Sequence, residues 1–78
     1  MDMDRRIEVN PEIMAGKPVV KGTRIPVYVV LQMFEEEASI DDVIEAYPDL
    51  EREDVQACIR YATKRVQREE ITGSKTVA

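Results

Sequence analysis

Nucleophiles, general bases and metal ligands are scarce in this chain, and their spacing points away from catalysis. The 78 residues include no histidine and one cysteine, Cys58. Without histidine the side chain that most readily exchanges a proton near neutral pH is missing, so the usual nucleophile–base pair is not available. A single cysteine makes neither an intrachain disulfide nor a zinc site of the Cys/His kind. Cys58 falls on an apolar helical stripe and reads as a small core residue. Carboxylates are plentiful at Glu35, Glu36 and Glu37 and again at Asp41, Asp42 and Glu45. Clusters of this type hold magnesium in nucleases, but consecutive helical residues diverge by about 100° each. They read as a solvated or partner-facing surface. Gly16 and Gly22 lack the spacing and the following Lys-Ser/Thr of a phosphate-binding loop. The expectation is a binding module without catalytic residues, cofactor or metal.

The chemistry left is electrostatic. The net charge of −5 hides an asymmetry: residues 1–24 sum to +1, residues 25–56 to −9 and residues 57–78 to +3. An acidic middle with basic flanks matches a basic protein better than a phosphate backbone. The basic candidates for nucleic-acid or partner contact are Lys17, Lys21 and Arg24, then Arg60, Lys64, Arg65 and Arg68. Arg24 carries a fork of five donors, and two readings of it stay open. It anchors a strand–helix junction through carbonyls or helical carboxylates, or it joins Lys17 and Lys21 in contacting phosphates or an acidic partner.

The elements that must position these groups are short. Ile7–Val9 and Val19–Lys21 read as strands able to pair, separated by the turn signals Asn10-Pro11 and Gly16-Lys-Pro18. A first helix begins at or just after Pro26, whose missing N–H is not needed in the first turn. Val27, Val30, Leu31 and Phe34 form its stripe. Its closing Glu35-Glu-Glu37 opposes the helix dipole, which predicts a frayed end or a basic group to meet it. Ser39 with Asp42 three residues on caps a second helix, with Ile40, Val43, Ile44 and Tyr47 as its stripe and Pro48 as its stop. A third helix is expected over residues 51–70, with Val55, Cys58, Ile59, Ala62 and Val66 as its apolar face. Residues 1–6 and 71–78 read as flexible ends around a single domain at 7–70.

The predicted fold is mainly α: a three-helix, helix-turn-helix core of the homeodomain or winged-helix kind with a short N-terminal β element. A domain this small buries only about 60% of its unfolded surface. With no disulfide or metal to staple it, oligomerisation or a partner chain is the staple left over, and a homodimer is expected. No stretch approaches the roughly 18 apolar residues of a membrane span, and no signal peptide is evident, so the expected location is the cytoplasm.

The string Gly16-Lys-Pro-Val-Val-Lys-Gly-Thr-Arg-Ile-Pro26, preceded by Asn10-Pro11-Glu12-Ile13 and followed by Tyr47-Pro48-Asp49-Leu50, resembles the domain of unknown function 433 family. The likeness runs from about residue 7 to 62. Glu35-Glu-Glu-Ala38 departs from it, since members often place a glycine before the second helix. The resemblance implies a helix-turn-helix-like domain treated as a VapB-like antitoxin, the partner of a PIN-like ribonuclease toxin. The leading expectation is therefore an antitoxin-type protein that neutralises such a ribonuclease and autoregulates its operon. The alternative is a DNA-binding transcriptional regulator without a toxin partner. The start of the third helix, Glu51-Arg-Glu-Asp54, would be repelled by phosphates, so operator DNA would be held by the basic candidates in sequence-neutral contacts.

Overall fold

The computed structural model describes residues 5–73, with side chains through residue 68. Three helices and one two-stranded antiparallel sheet make a mainly α domain. β1 (Ile7–Glu8) pairs with β2 (Val19–Val20), Ile7 opposite Val20 and Glu8 opposite Val19. So small a sheet is marginal in water, and it survives because Ile7, Val19 and Val20 are all buried. The connection turns first on Asn10, whose side chain accepts the Glu12 N–H at 2.8 Å. It turns again through Met14, Ala15 and Gly16, three consecutive left-handed residues with φ of 51°, 56° and 84°.

α1 (Val27–Glu35) follows Pro26, which stands as N-cap in extended geometry. The Val27 N–H donates to the Pro18 carbonyl at 2.9 Å, tying the start of the helix to the sheet. Val27 and Val30 are buried, and Leu31 and Phe34 pack against the core beside them. α2 (Ile40–Ala46) carries the expected capping box: the Ser39 hydroxyl accepts the Asp42 N–H at 3.1 Å, and the Asp42 carboxylate accepts the Ser39 N–H at 2.9 Å. A tight turn, with the Leu50 N–H on the Tyr47 carbonyl at 2.9 Å, leads into α3 (Arg52–Gly73).

The core gathers Ile7, Val20, Val27, Val30, Val43, Leu50, Val55, Ala57 and Cys58, so the thiol is a fully enclosed core group. One expectation is corrected here. Ile59 and Val66, assigned by periodicity to the buried face of α3, are 40% and 55% exposed, and Ala57 is buried instead. The face of α3 that meets α1, α2 and β1 centres on Asp54, Val55, Ala57 and Cys58, and Tyr61 is the last of its described side chains to pack against the core. The apolar stripe lies to one side of that face and runs on beyond the body that could cover it.

Candidate partner-binding surfaces

The loop between β2 and α1 is rigid for local reasons. Gly22 has φ +83°, a left-handed value that glycine adopts without a Cβ penalty. Thr23 holds the loop from inside: its N–H and hydroxyl both donate to the Val20 carbonyl, at 3.0 and 2.7 Å, and its hydroxyl accepts the Ile25 N–H at 3.0 Å. The Val20 N–H closes the loop on the Ile25 carbonyl at 3.0 Å. Thr23 therefore locks the strand–helix junction. Arg24 is exposed and, among the described residues, makes no ion pair or hydrogen bond through its guanidinium. It borders a 540 Å³ cleft together with Glu8, Ile13 and Asp49.

The seven basic candidates do not form one patch. Lys21 and Arg24 sit at the tip of this loop, both exposed. Lys17 lies over the Tyr28 ring at 5.6 Å and borders a groove between α1 and α3 that Arg65 also lines. Arg65 in turn stacks on Tyr61, 5.8 Å from its centroid. Arg60, Lys64 and Arg68 recur every four residues and so share one side of α3, away from that groove.

The six acidic candidates are all exposed and follow one another from the end of α1 through α2. Two of them serve the fold. Asp41 pairs with Arg52 at 3.3 Å, and Asp42 closes the capping box. Hydrogen bonds from the backbone and then the side chain of Ser39 hold the Asp42 carboxyl below the usual carboxylate range. Glu35, Glu36 and Glu37 stand differently. No basic residue occupies the last turn of α1, and among the described residues none of the three has an ion pair or a side-chain hydrogen bond. Nor is this end frayed, as the dipole argument predicts. The Glu37 N–H donates to the Phe34 carbonyl and the Ala38 N–H to the Met33 carbonyl, each at 2.9 Å. That is a Schellman closure, with Glu37 at φ 72° in the position that usually takes glycine.

Sequence reasoning missed the contact that pins the N-terminal segment. Arg6, assigned there to the flexible end, donates to the Asp54 carboxylate at 2.8 Å and reaches Glu51 at 3.4 Å. Asp54 also accepts the Glu51 N–H at 2.8 Å, capping α3. The Asp54 hydrogen bond raises the pKa of the Arg6 guanidinium above its ordinary value, and Glu51 adds to the shift. The acids at the start of α3 were legible as dipole partners, but nothing local connects them to residue 6. Among the described residues, no three His, Cys, Asp or Glu side chains gather as metal ligands, and no helix is long and apolar enough to cross a membrane.

Comparison with known proteins places this arrangement. The family model described as "Protein of unknown function (DUF433)" matches residues 7–62, and the chain belongs to that family. The uncharacterized protein y4eO of Sinorhizobium fredii is 40% identical over 53 residues, covering 68% of this chain and 24% of that protein. A crystal structure of a DUF433 member from Anabaena variabilis superposes with a TM-score of 0.75 at 25% identity, over 81% of this chain and 62% of that one. The chain thus spans about a quarter of the first relative's length and under two thirds of the second's.

Proposed function

We propose that this DUF433 chain is an antitoxin-type interaction protein that binds and neutralises a PIN-like ribonuclease, docking through the acidic connection between α1 and α2. The observation that carries this reading is the condition of Glu35, Glu36 and Glu37. They oppose the α1 dipole without a cation among the described residues to offset them, and Glu37 sits in a left-handed conformation that disfavours a side chain. Among the described residues they make no ion pair or side-chain hydrogen bond that would serve the fold. Charge kept where it disfavours the fold supports a role outside the fold, and a basic RNA-binding rim is the complementary surface. The exposed guanidinium of Arg24, on a loop stiffened by Thr23, offers a second contact of opposite sign.

The test is co-purification of the tagged chain with the product of its neighbouring reading frame, followed by an RNA-cleavage assay on the complex. The expected result is a stable complex with suppressed cleavage. Combined Glu35→Lys, Glu36→Lys and Glu37→Lys changes should weaken it about tenfold or more. Two folded chains that form no complex would defeat the reading.

A second reading, a DNA-binding regulator, draws on the succession of α2, tight turn and α3 in helix-turn-helix outline and on the Arg60, Lys64 and Arg68 stripe. Electrophoretic shift of the chain's own promoter separates the two readings. A preferred site that survives moderate salt supports the regulator, and loss of all binding across that range opposes it.

A further inference from the structure

The groove between α1 and the second half of α3 is apolar, exposed and only partly rimmed by charge. Tyr28 is 51%, Ile59 40% and Val66 55% exposed. Two adjoining depressions of 470 and 340 Å³ share Leu31, Ala62 and Val66 as their common ridge. The second is lined by Leu31, Ile59, Ala62, Thr63, Val66 and Gln67 without one charged residue, in a chain of which 35% is charged.

We infer that this face is where a second copy of the chain docks, α3 against α3 in antiparallel fashion about a twofold axis near Ala62 and Thr63. Neutrality is the main argument. A twofold contact sets each residue close to its own twin, so a charge near the axis meets its like. Arg60, Lys64 and Arg68 lie about 100° or more around the helix from Ile59, and Arg65 borders the first depression but not the second. The charges that border the first depression, Lys17 and Arg65, are both basic, so a basic ribonuclease rim would find no complement there, and the second depression offers a phosphate backbone no charge at all.

Register supports the same occupant. Ile59, Ala62, Thr63 and Val66 follow the i, i+3, i+4, i+7 spacing of a helix-packing seam. Antiparallel pairing about their midpoint sets Ile59 against Val66 of the other copy, twice over, and opposes the two helix dipoles favourably. The contact is independent of the proposed ribonuclease partner, because Glu35–Glu37 close the opposite end of α1 from Tyr28.

Sedimentation equilibrium on the full chain tests it. The expected species at about 100 μM, well above a micromolar dissociation constant, is a dimer of 8.9 kDa protomers. Ile59→Glu and Val66→Glu should each raise that constant about a hundredfold, since each buries two unpaired carboxylates in the dimer, while helical circular dichroism stays unchanged. Thr63→Cys should form an intermolecular disulfide on mild oxidation, and Glu45→Cys on α2 should not. A wild-type monomer at that concentration overturns the proposal, and so does a dimer indifferent to both glutamates. If a glutamate variant unfolds, the cysteine pair decides. Cross-linking at residue 63 sustains the contact, and cross-linking at residue 45 alone, or at neither position, overturns it.

Discussion

The start of α3 and the end of α1 both gather carboxylates at a helix terminus, and the chain treats the two ends in opposite ways. At α3 the acids stand at the positive end of the dipole. Asp54 is nearly buried, caps the Glu51 N–H and receives Arg6 from the N-terminal segment. At α1 the acids stand at the negative end, exposed and, among the described residues, unmet, around a turn that uses Glu37 where glycine would suit better. At the start of α3 the charge is paired and capped, and at Asp54 it is drawn inward. At the end of α1 the charge is exposed, and that contrast is what makes residues 35–37 a candidate contact.

The comparison breaks most visibly at Asp54. Asp54→Ala removes the cap acceptor of α3 and one hydrogen bond from the Arg6 guanidinium, at an expected loss of about 2 kcal/mol in urea unfolding. A change below about 0.5 kcal/mol would mean that the start of α3 is held by packing alone. Next comes Glu37→Gly, with the opposite sign. Relief of the left-handed side chain exceeds the added freedom of the unfolded chain, so the variant should be stabilised by about 1 kcal/mol, visible as a raised melting temperature. Destabilisation would show that the Glu37 side chain supports the turn in some other way.

A cation at the end of α1 sharpens the contrast further. Glu36→Lys sets a positive charge against the dipole and removes one of three like charges, for an expected gain of a few tenths of a kcal/mol that shrinks with added salt. The same substitution should weaken the proposed ribonuclease complex. The smallest effect is read in pH. The Asp42 carboxyl titrates lower in the folded chain than its ordinary value of 3.8. The unfolded chain therefore takes up this proton first as pH falls. The contribution is complete above that ordinary value and is lost as pH drops through the lowered one. Ser39→Ala should flatten the stability-against-pH curve in that acidic window and lower stability at neutral pH. An unchanged slope would remove Asp42 from the account.

Much of the fold was legible because its signals act within a few residues. Pro26 before α1, the Ser39–Asp42 box, Pro48 after α2 and the β-branched pair Val19–Val20 each fixed an element locally. The features that escaped are of three kinds. The Arg6–Asp54 pair joins residues 48 apart, and no local pattern links them. The buried face of α3 is displaced from the apolar stripe, because Val55, Ala57, Cys58, Ile59, Ala62 and Val66 spread over so wide an arc that periodicity cannot say which part faces the body. The Glu37 turn is a glycine-type closure without glycine, and its signal is the departure from the family pattern itself. Of the candidate site, the residue types were readable, whereas their grouping was not. The seven basic residues divide among a loop tip, a groove and one side of a helix, while the acidic run stays together because it is local in sequence.

The left-handed Glu37 has a consequence in the genetic code. Glutamate and glycine codons differ by a single base in the second position, so the conformationally better residue lies one point mutation away. A gene under no demand except to encode a folded domain would reach that codon by drift and have no reason to leave it. If residue 37 matters only to the turn, a library of variants selected for folding alone should enrich glycine there. If the carboxylate is wanted by a partner, selection in the presence of that partner should return glutamate.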